Sequence, residues 1–395
     1  MINITDKHDC CGCSACVAAC PKQCIAMLED AEGFLYPEVD AAACVDCGLC
    51  EKVCPWLNTP SKRRPQDVVA AKNRNGGDLI DSSSGGVFIA LARQVVASGG
   101  VVFGAVFDDR WEVVHAQADT VEAVRPMMGS KYVQSRMEDA FASVAAVLRQ
   151  GRRVLFVGTP CQVAGLNGYL RRGYENLLTV DFLCHGVPSP GVWRRYLRDA
   201  FTGRDGRVVI TSVEFRNKRK EGWARYNVVV KGRDGGGRGD ERELSASVYV
   251  DNPFMRGFMA DVYLRPSCHQ CKCKGGSSRS DLTIADYWGV ASLLPDFADD
   301  MGVSLVFVNS PKGQSALAML DIDVCKANIK GAERFNGGFN DTIPERPRRR
   351  KFFEAMASGA DFQTALDRAL RVPPYKKALK KLTTTVRKTL SRIVK

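Results

Sequence analysis

The sequence predicts a mixed α/β protein (α+β / α/β) in three parts. These are a small cysteine-rich domain over residues 1–58, a larger mixed α/β body over 59–345 with an antiparallel excursion, and a basic helical tail over 346–395. Three observations carry that division. Ten of the sixteen cysteines fall within the first 54 residues. The middle of the chain alternates short apolar runs with helix-like segments, as strands buried on both faces of a mostly parallel sheet do. The last fifty residues hold fifteen Lys and Arg against three acids, which is the whole of the formal charge of +12. A length of 395 residues allows two or three such units.

The first element is a repeat. Cys10-x2-Cys13-x2-Cys16-x3-Cys20-Pro21 recurs 34 residues later as Cys44-x2-Cys47-x2-Cys50-x3-Cys54-Pro55. This is the bacterial ferredoxin run for two 4Fe–4S clusters, in which the fourth cysteine of each run serves the other cluster. Cys10, Cys13, Cys16 and Cys54 then form one ligand set, and Cys44, Cys47, Cys50 and Cys20 the other. A pair of zinc sites is the alternative, but zinc favours paired C-x2-C knuckles over triple runs ending in Cys-Pro. So small a domain cannot fold on its own core, and clusters that cross-link its halves would supply much of its stability. Cys11 and Cys24 fall outside the pattern and read as ordinary small residues.

The stretch NTPSKRRPQ (58–66) reads as a linker. A strand follows at Val68 to Lys72, then a helix at Gly86 to Ala97 behind the turn-like DSSSGG. VVFGAVF (101–107) reads as a strand and Glu138 to Arg149 as a helix. RVLFVG (153–158) is a strand, with a helix from about Gln162. LLTVDFL (177–183) is a strand, with a helix from Pro190. Between about 207 and 250, ITSVEFRN, YNVVVKG and ELSASVYV around a glycine-rich loop predict the antiparallel excursion. DLTIADYWG and GVSLVFVNS add two more strands. With the positive charge confined to the tail, the body is formally neutral and no nucleic-acid surface is expected. No apolar run reaches the ~18 residues of a membrane span and no secretory signal is visible, so the expected location is cytoplasmic.

The cysteines of the body sit in a different context. Cys161 lies in GTPCQVAGL, between a buried strand and a helix. Cys184 lies in DFLCHGVPS, and Cys268 and Cys271 in SCHQCKCKGG. Spacing alone leaves several readings open. Cys161 and Cys184 are buried small residues, or Cys161 is a thiol activated by a helix N-terminus; Cys268-x2-Cys271 is half of a metal site.

SSSGGVFIALA, GSKYVQS, GTPCQVAGL, DFLCHGVPS and CHQCKCKGGSSRSDLTIADYWG, in this order between Ser82 and Gly289, resemble the beta subunit of coenzyme F-420 hydrogenase/dehydrogenase. That family is one of iron–sulfur oxidoreductases containing FAD. The resemblance implies a third 4Fe–4S cluster held by Cys161, Cys184, Cys268 and Cys271, with Cys273 as a competitor of Cys271. It also implies FAD in the body. Ser83, Ser84, Gly85 and Gly86 before a helix would receive the pyrophosphate, Lys131 and Tyr132 would add charge and stacking, and Thr159 and Gln162 would set the flavin beside Cys161. His185, next to Cys184, is the candidate proton carrier; a hydrogen-bonded structural histidine is the alternative. Asp286, Tyr287 and Trp288 are expected to complete the core.

The function this implies is an iron–sulfur flavoprotein oxidoreductase. Single electrons from ferredoxin or another redox partner would pass through the clusters to FAD, which stores two for a small-molecule substrate or a deazaflavin-type coenzyme. An electron-transfer subunit without a substrate of its own is the competing reading. In the tail, Tyr375, Leu379, Leu382, Val386, Leu390 and Ile393 fall on one helical stripe flanked by lysines and arginines. This pattern suits peripheral contact with the anionic inner membrane face, or packing of the stripe on the body.

Overall fold

Near-continuous burial along the central strands places a helical layer on both faces of one large sheet. The computed structural model describes residues 1–203, 207–235 and 239–371. In the cysteine-rich unit, β1 (Ile25–Glu29) and β2 (Leu35–Val39) form an antiparallel hairpin in which Ile25 faces Val39. The body contributes β3 (Asp67–Asn73), β4 (Val101–Phe107), β5 (Val113–Ala118), β6 (Val154–Val157) and β7 (Leu177–Phe182). It continues with β8 (Val208–Asn217), β9 (Asn227–Asp234), β10 (Arg242–Val248), β11 (Leu282–Asp286), β12 (Ser304–Val308) and β13 (Ile322–Lys326).

Eight of these strands form one sheet in the order β13-β3-β12-β11-β7-β6-β4-β5. Only the central block is parallel: β4 with β6, β6 with β7, and β7 with β11. β5, β12, β3 and β13 pair antiparallel. The sheet is therefore mixed, where the apolar runs had suggested mostly parallel pairing. The short return from Phe107 to Val113 explains one edge, since a parallel partner needs a crossover of a dozen or more residues. β8, β9 and β10 form the expected excursion, a separate three-stranded antiparallel sheet.

The two faces of the large sheet can be followed residue by residue. Val102, Leu155, Leu178 and Val180 pack with the helix Val87–Ala97. Val101, Phe103, Val154, Phe156 and Leu177 pack on the other side with the helices Ala140–Arg149 and Pro160–Leu170. This is the period-two alternation of a strand. The helix starts carry local signals of their own. Thr159 closes a capping box with Gln162 ahead of Pro160, and Ser189, Asn252 and Ser310 cap helices that begin with proline.

The body does not end at residue 345. Helices Pro347–Ala357 and Phe362–Leu370 lay Phe352, Phe362 and Leu366 into the same core as Trp193, Phe254 and Tyr263. Arg349 is buried and donates to the Leu264 carbonyl at 2.9 Å. The basic count of 346–371 thus mixes core-seated with exposed residues. The amphipathic stripe Tyr375 to Ile393, and with it the expected membrane contact, lies outside the described residues. Among the described residues no helix is long and apolar enough to cross a membrane.

A Cβ at Gly85 would lie 2.2 Å from the Ala71 carbonyl oxygen and 2.5 Å from the Ser304 nitrogen, so this glycine is required by backbone approach to β3 and β12. Gly85→Val is expected to lose at least about 3 kcal/mol of stability in denaturant unfolding. Between β7 and β11, the buried Asp181 accepts from Ser278 at 2.5 Å and from Thr283. Burial outweighs those hydroxyls and raises its carboxyl from 3.8 to about 6. The folded chain then holds a proton that the unfolded chain has released between pH ~4 and ~6, so stability falls as pH rises through that window. Asp181→Asn should remove this slope, worth about 3 kcal/mol, when its unfolding at both ends of the window is compared with that of the parent chain.

Candidate iron–sulfur centre

The repeat seen in the sequence is also a repeat of backbone conformation. Gly12 and Ser14 have φ of 68° and 61°, and the equivalent Asp46 and Gly48 have 47° and 69°. These left-handed positions fold each Cys-x2-Cys-x2-Cys run back on itself before the short helices Ala15–Ala19 and Leu49–Lys52. Within each loop one amide points at the first sulfur: Gly12 N–H at Cys10 Sγ and Asp46 N–H at Cys44 Sγ, both 3.4 Å.

Each run encloses a void. One pocket is lined by Cys10, Cys13, Cys16 and Cys54, and another by Cys20, Cys44, Cys47 and Cys50. In each, the fourth cysteine comes from the opposite run. Among the described residues, no three His, Cys, Asp or Glu side chains converge as they would around a single metal ion; the thiols ring an open space instead. Burial raises the Cys16 thiol to about 12, and so many buried thiols can ionise together only against a bound cationic group. The donor set and the space fit a cluster. Cys11 and Cys24, set aside in the sequence, line these same cavities, and Cys24 Sγ lies 3.4 Å from Cys20 Sγ.

The first cavity is pressed against the body. A Cβ at Gly165 would lie 3.0 Å from Cys13 Sγ, and one at Gly168 2.5 Å from the Val53 carbonyl oxygen. The two glycines let the helix Pro160–Leu170 approach the cysteine loop. Cys161 opens that helix, with its Sγ 3.0 Å from Thr159 Oγ1. Cys11 and Cys13 share one packed cluster with Cys161, which brings the two groups of thiols together. The Cys161 thiol is held well above its usual range, first by its interaction with the Cys11 thiol and then by burial.

Cys161, Cys184, Cys268 and Cys271 lie within electrostatic reach of one another. Burial raises Cys184 well above the thiol range and Cys268 to about 12. Cys271 is lowered to about 6, chiefly by its interaction with the neighbouring buried Cys273 thiol. Val187 N–H points at Cys268 Sγ at 3.4 Å. Cys325 stands apart on β13.

Residues nominated for FAD are already engaged. Ser83 Oγ accepts from Ser130 N–H at 2.7 Å, and Ser84 Oγ donates to the Val303 carbonyl at 2.9 Å. Gly85 N–H donates to Ser304 Oγ, and Gly86 caps the following helix with φ of 77°. The buried Arg216 ties the loop down, donating to Ser83 O and to both oxygens of Asp286. It also donates to Tyr132 Oη, and Lys218 adds a bond to Ser84 O. Lys131, half-buried, donates to the carbonyls of Pro126, Met128 and Gly129. Gln162 is spent on the capping box and on Ser135. In this arrangement the SSSGG segment does not fit a pyrophosphate cradle. His185 Nε2 lies 2.7 Å from Asp261 Oδ1 and its ring stands edge-on to Phe258.

Sequence reasoning missed the residues that join the two thiol groups, namely Cys11, Gln134 and Arg265. Cys11 was hidden by its place outside the repeat. Arg265, three residues before Cys268, had only its position as a signal.

Comparison with known proteins agrees with this anatomy. Residues 151–328 match the family described as the C terminus of coenzyme F420 hydrogenase/dehydrogenase, beta subunit, and residues 9–58 match the 4Fe-4S dicluster domain. The F subunit of the F(420)H(2) dehydrogenase of Methanosarcina mazei is 25% identical over 166 residues, which is 40% of this chain and 47% of that protein. An uncharacterised protein of Methanocaldococcus jannaschii is 25% identical over 190 residues, 40% of this chain and 52% of that protein. The chain thus spans about half the length of the curated relatives it matches. A solved structure of the F420-reducing NiFe hydrogenase complex from Methanosarcina barkeri, a xenon derivative, aligns with a TM-score of 0.46 and 17% identity over 70% of this chain and 90% of that one. Residues 151–328 thus match the C-terminal domain of the coenzyme F420 hydrogenase/dehydrogenase beta-subunit family, and a 4Fe–4S dicluster domain stands ahead of that match.

Proposed function

We propose that this chain is an iron–sulfur oxidoreductase that conducts single electrons from its surface to a third cluster in the body. The supporting observation is the packing of Cys161 against the cluster that contains Cys11 and Cys13, which joins the ferredoxin-type unit to the cysteines of the body. Cys10, Cys13, Cys16 and Cys54 would hold the near cluster, Cys44, Cys47, Cys50 and Cys20 the distal one, and Cys161, Cys184, Cys268 and Cys271 the third. When bound, such clusters supply one-electron steps at potentials set by charge, hydrogen bonding and solvent exposure.

The chain's own residues give the wire a direction. Cys47 is exposed while Cys13 and Cys16 are buried, so a redox partner meets the distal set first. The N–H···S bonds from Gly12, Asp46 and Val187 favour the more negative, reduced state of their sulfurs. The helix Pro160–Leu170 holds Cys161 at the junction and the surrounding core excludes water. FAD, a ferredoxin-type donor and a deazaflavin-type or other small-molecule acceptor follow from the family resemblance. A subunit that hands electrons to a partner enzyme is the second reading. It is favoured by the internal engagement of the nominated flavin contacts and by the M. mazei relative being itself a subunit.

Anaerobically reconstituted chain is expected to hold about twelve irons and twelve acid-labile sulfides. Cys161→Ser and Cys268→Ser should each lower the iron to about eight, while Cys325→Ser should leave it unchanged. A parent chain that saturates at about eight irons removes the third cluster. Acid extraction should release one FAD per chain. Its absence, together with acceptor reduction only when a partner is supplied, would select the subunit reading.

A further inference from the structure

Arg265 carries the inference. It is fully buried, and among the described residues no carboxylate forms an ion pair with it. Its Nε donates to the Cys10 carbonyl at 2.7 Å, Nη1 to Gln134 Oε1 at 3.0 Å and Nη2 to the Leu35 carbonyl at 2.9 Å. Nη2 also lies 3.5 Å from Cys10 Sγ. The guanidinium stacks 4.2 Å from the Tyr36 ring. A Cβ at Gly12 would sit 2.8 Å from Arg265 Nη1, so the side chain is wedged against the Cys10–Cys13 loop. Its own backbone oxygen accepts from Cys268 N–H at 2.9 Å. One residue therefore touches a sulfur of the near set and the peptide that positions the third set.

A buried cation is costly unless an opposite charge compensates it. Here carbonyls and a thiol surround it, and among the described residues the negative charge that would compensate it is the one the cysteine thiolates carry when they hold a cluster. The distal cavity differs. The cationic groups that line it are Lys22 and the Met1 amine, both exposed, where water and salt weaken their effect.

We infer that Arg265 is the fixed counter-charge of the Cys10, Cys13, Cys16 and Cys54 cluster, a positioning residue that makes the near cluster easier to reduce than the distal one and so draws electrons inward. This rests on the cluster assignment proposed above. The transfer is balanced without a proton: one electron leaves the reduced distal cluster, which is oxidised, and reduces the near one. The added negative charge arrives beside a guanidinium already in place, in a site of low dielectric where such a pair is strong.

The test is a potentiometric titration of the reconstituted full chain followed by electron paramagnetic resonance, with Cys47→Ser used to assign the distal signal. Arg265→Met should lower the midpoint of the near cluster by at least tenfold in its reduction equilibrium, about 59 mV for one electron, and leave the distal midpoint in place. Arg265→Lys, which keeps the charge, should retain most of the parent value. Gln134→Leu, which disturbs the same contact without altering charge, should not move the midpoint. An unchanged near midpoint in Arg265→Met overturns the inference, as does a shift in Gln134→Leu or Arg265→Lys as large as that in Arg265→Met. If Arg265→Met does not hold its iron, the Lys and Gln134 variants decide between the same two outcomes. A parent chain without any 4Fe–4S signal refutes the cluster assignment itself, a result distinct from an immobile midpoint.

Discussion

Close approach of backbone to backbone at the junction between the cysteine-rich unit and the body governs everything else in this molecule. The unit offers little core of its own: two five-residue strands and two short helices enclose cysteines and a few aliphatic side chains. It gains a hydrophobic partner only because glycine stands where the chains meet. Gly165 and Gly168 admit the Cys13 loop and Val53, and Gly33 lies against Gly191 with each Cβ position within 2.7 Å of the other's Cα. The loop is then fixed by polar bonds from the body, with Gln134 donating to the Cys11 carbonyl and Arg265 to that of Cys10. Glu32 and Arg349 close the same seam from the C-terminal helices.

Those contacts explain why the thiols of both units lie side by side. The parallel core of the sheet delivers Cys161 and Cys184 after β6 and β7, adjacent strands whose ends point the same way. In open α/β sheets this end of the strands is where functional residues gather. The segment after the excursion returns Cys268 and Cys271 to that end before β11 pairs with β7. The polar network of Asp181, Ser278, Thr283 and Asn309 then locks β7 to the return. The order of elements thus follows from a need to bring three distant pieces of chain to one point.

The loop Ser82–Gly86 shows how a motif can serve the fold. Its glycines and serines resemble a phosphate-binding turn, yet its hydroxyls bond to Ser130 and Val303 and its carbonyls receive Arg216 and Lys218. The same composition that suits a ligand also suits a strand-to-helix turn pressed against two other strands. Composition alone cannot separate the two, because each requires small residues and exposed amides.

Local interactions were legible in the sequence. The crossed cysteine sets, the positions of β3, β4 and β6 to β12, the helices near Gln162 and from Pro190 and the antiparallel excursion follow from spacing, periodicity and capping. These are properties of neighbouring residues. β5 and the helix after Ser310 were not read. Pairing direction, the seating of 347–370 in the core and the company of Cys11 were not legible, because each depends on contacts between residues far apart in the chain. Cys11 looks unused beside its ligand neighbours until the body brings Cys161 to it. Arg265 looks like any arginine before a turn until three carbonyls, one sulfur and an aromatic ring close around it. The sequence by itself determined which cysteines are spaced as ligand sets; only the tertiary structure decided which set faces solvent and which faces a buried charge, since burial and electrostatic environment exist only once the chain is folded.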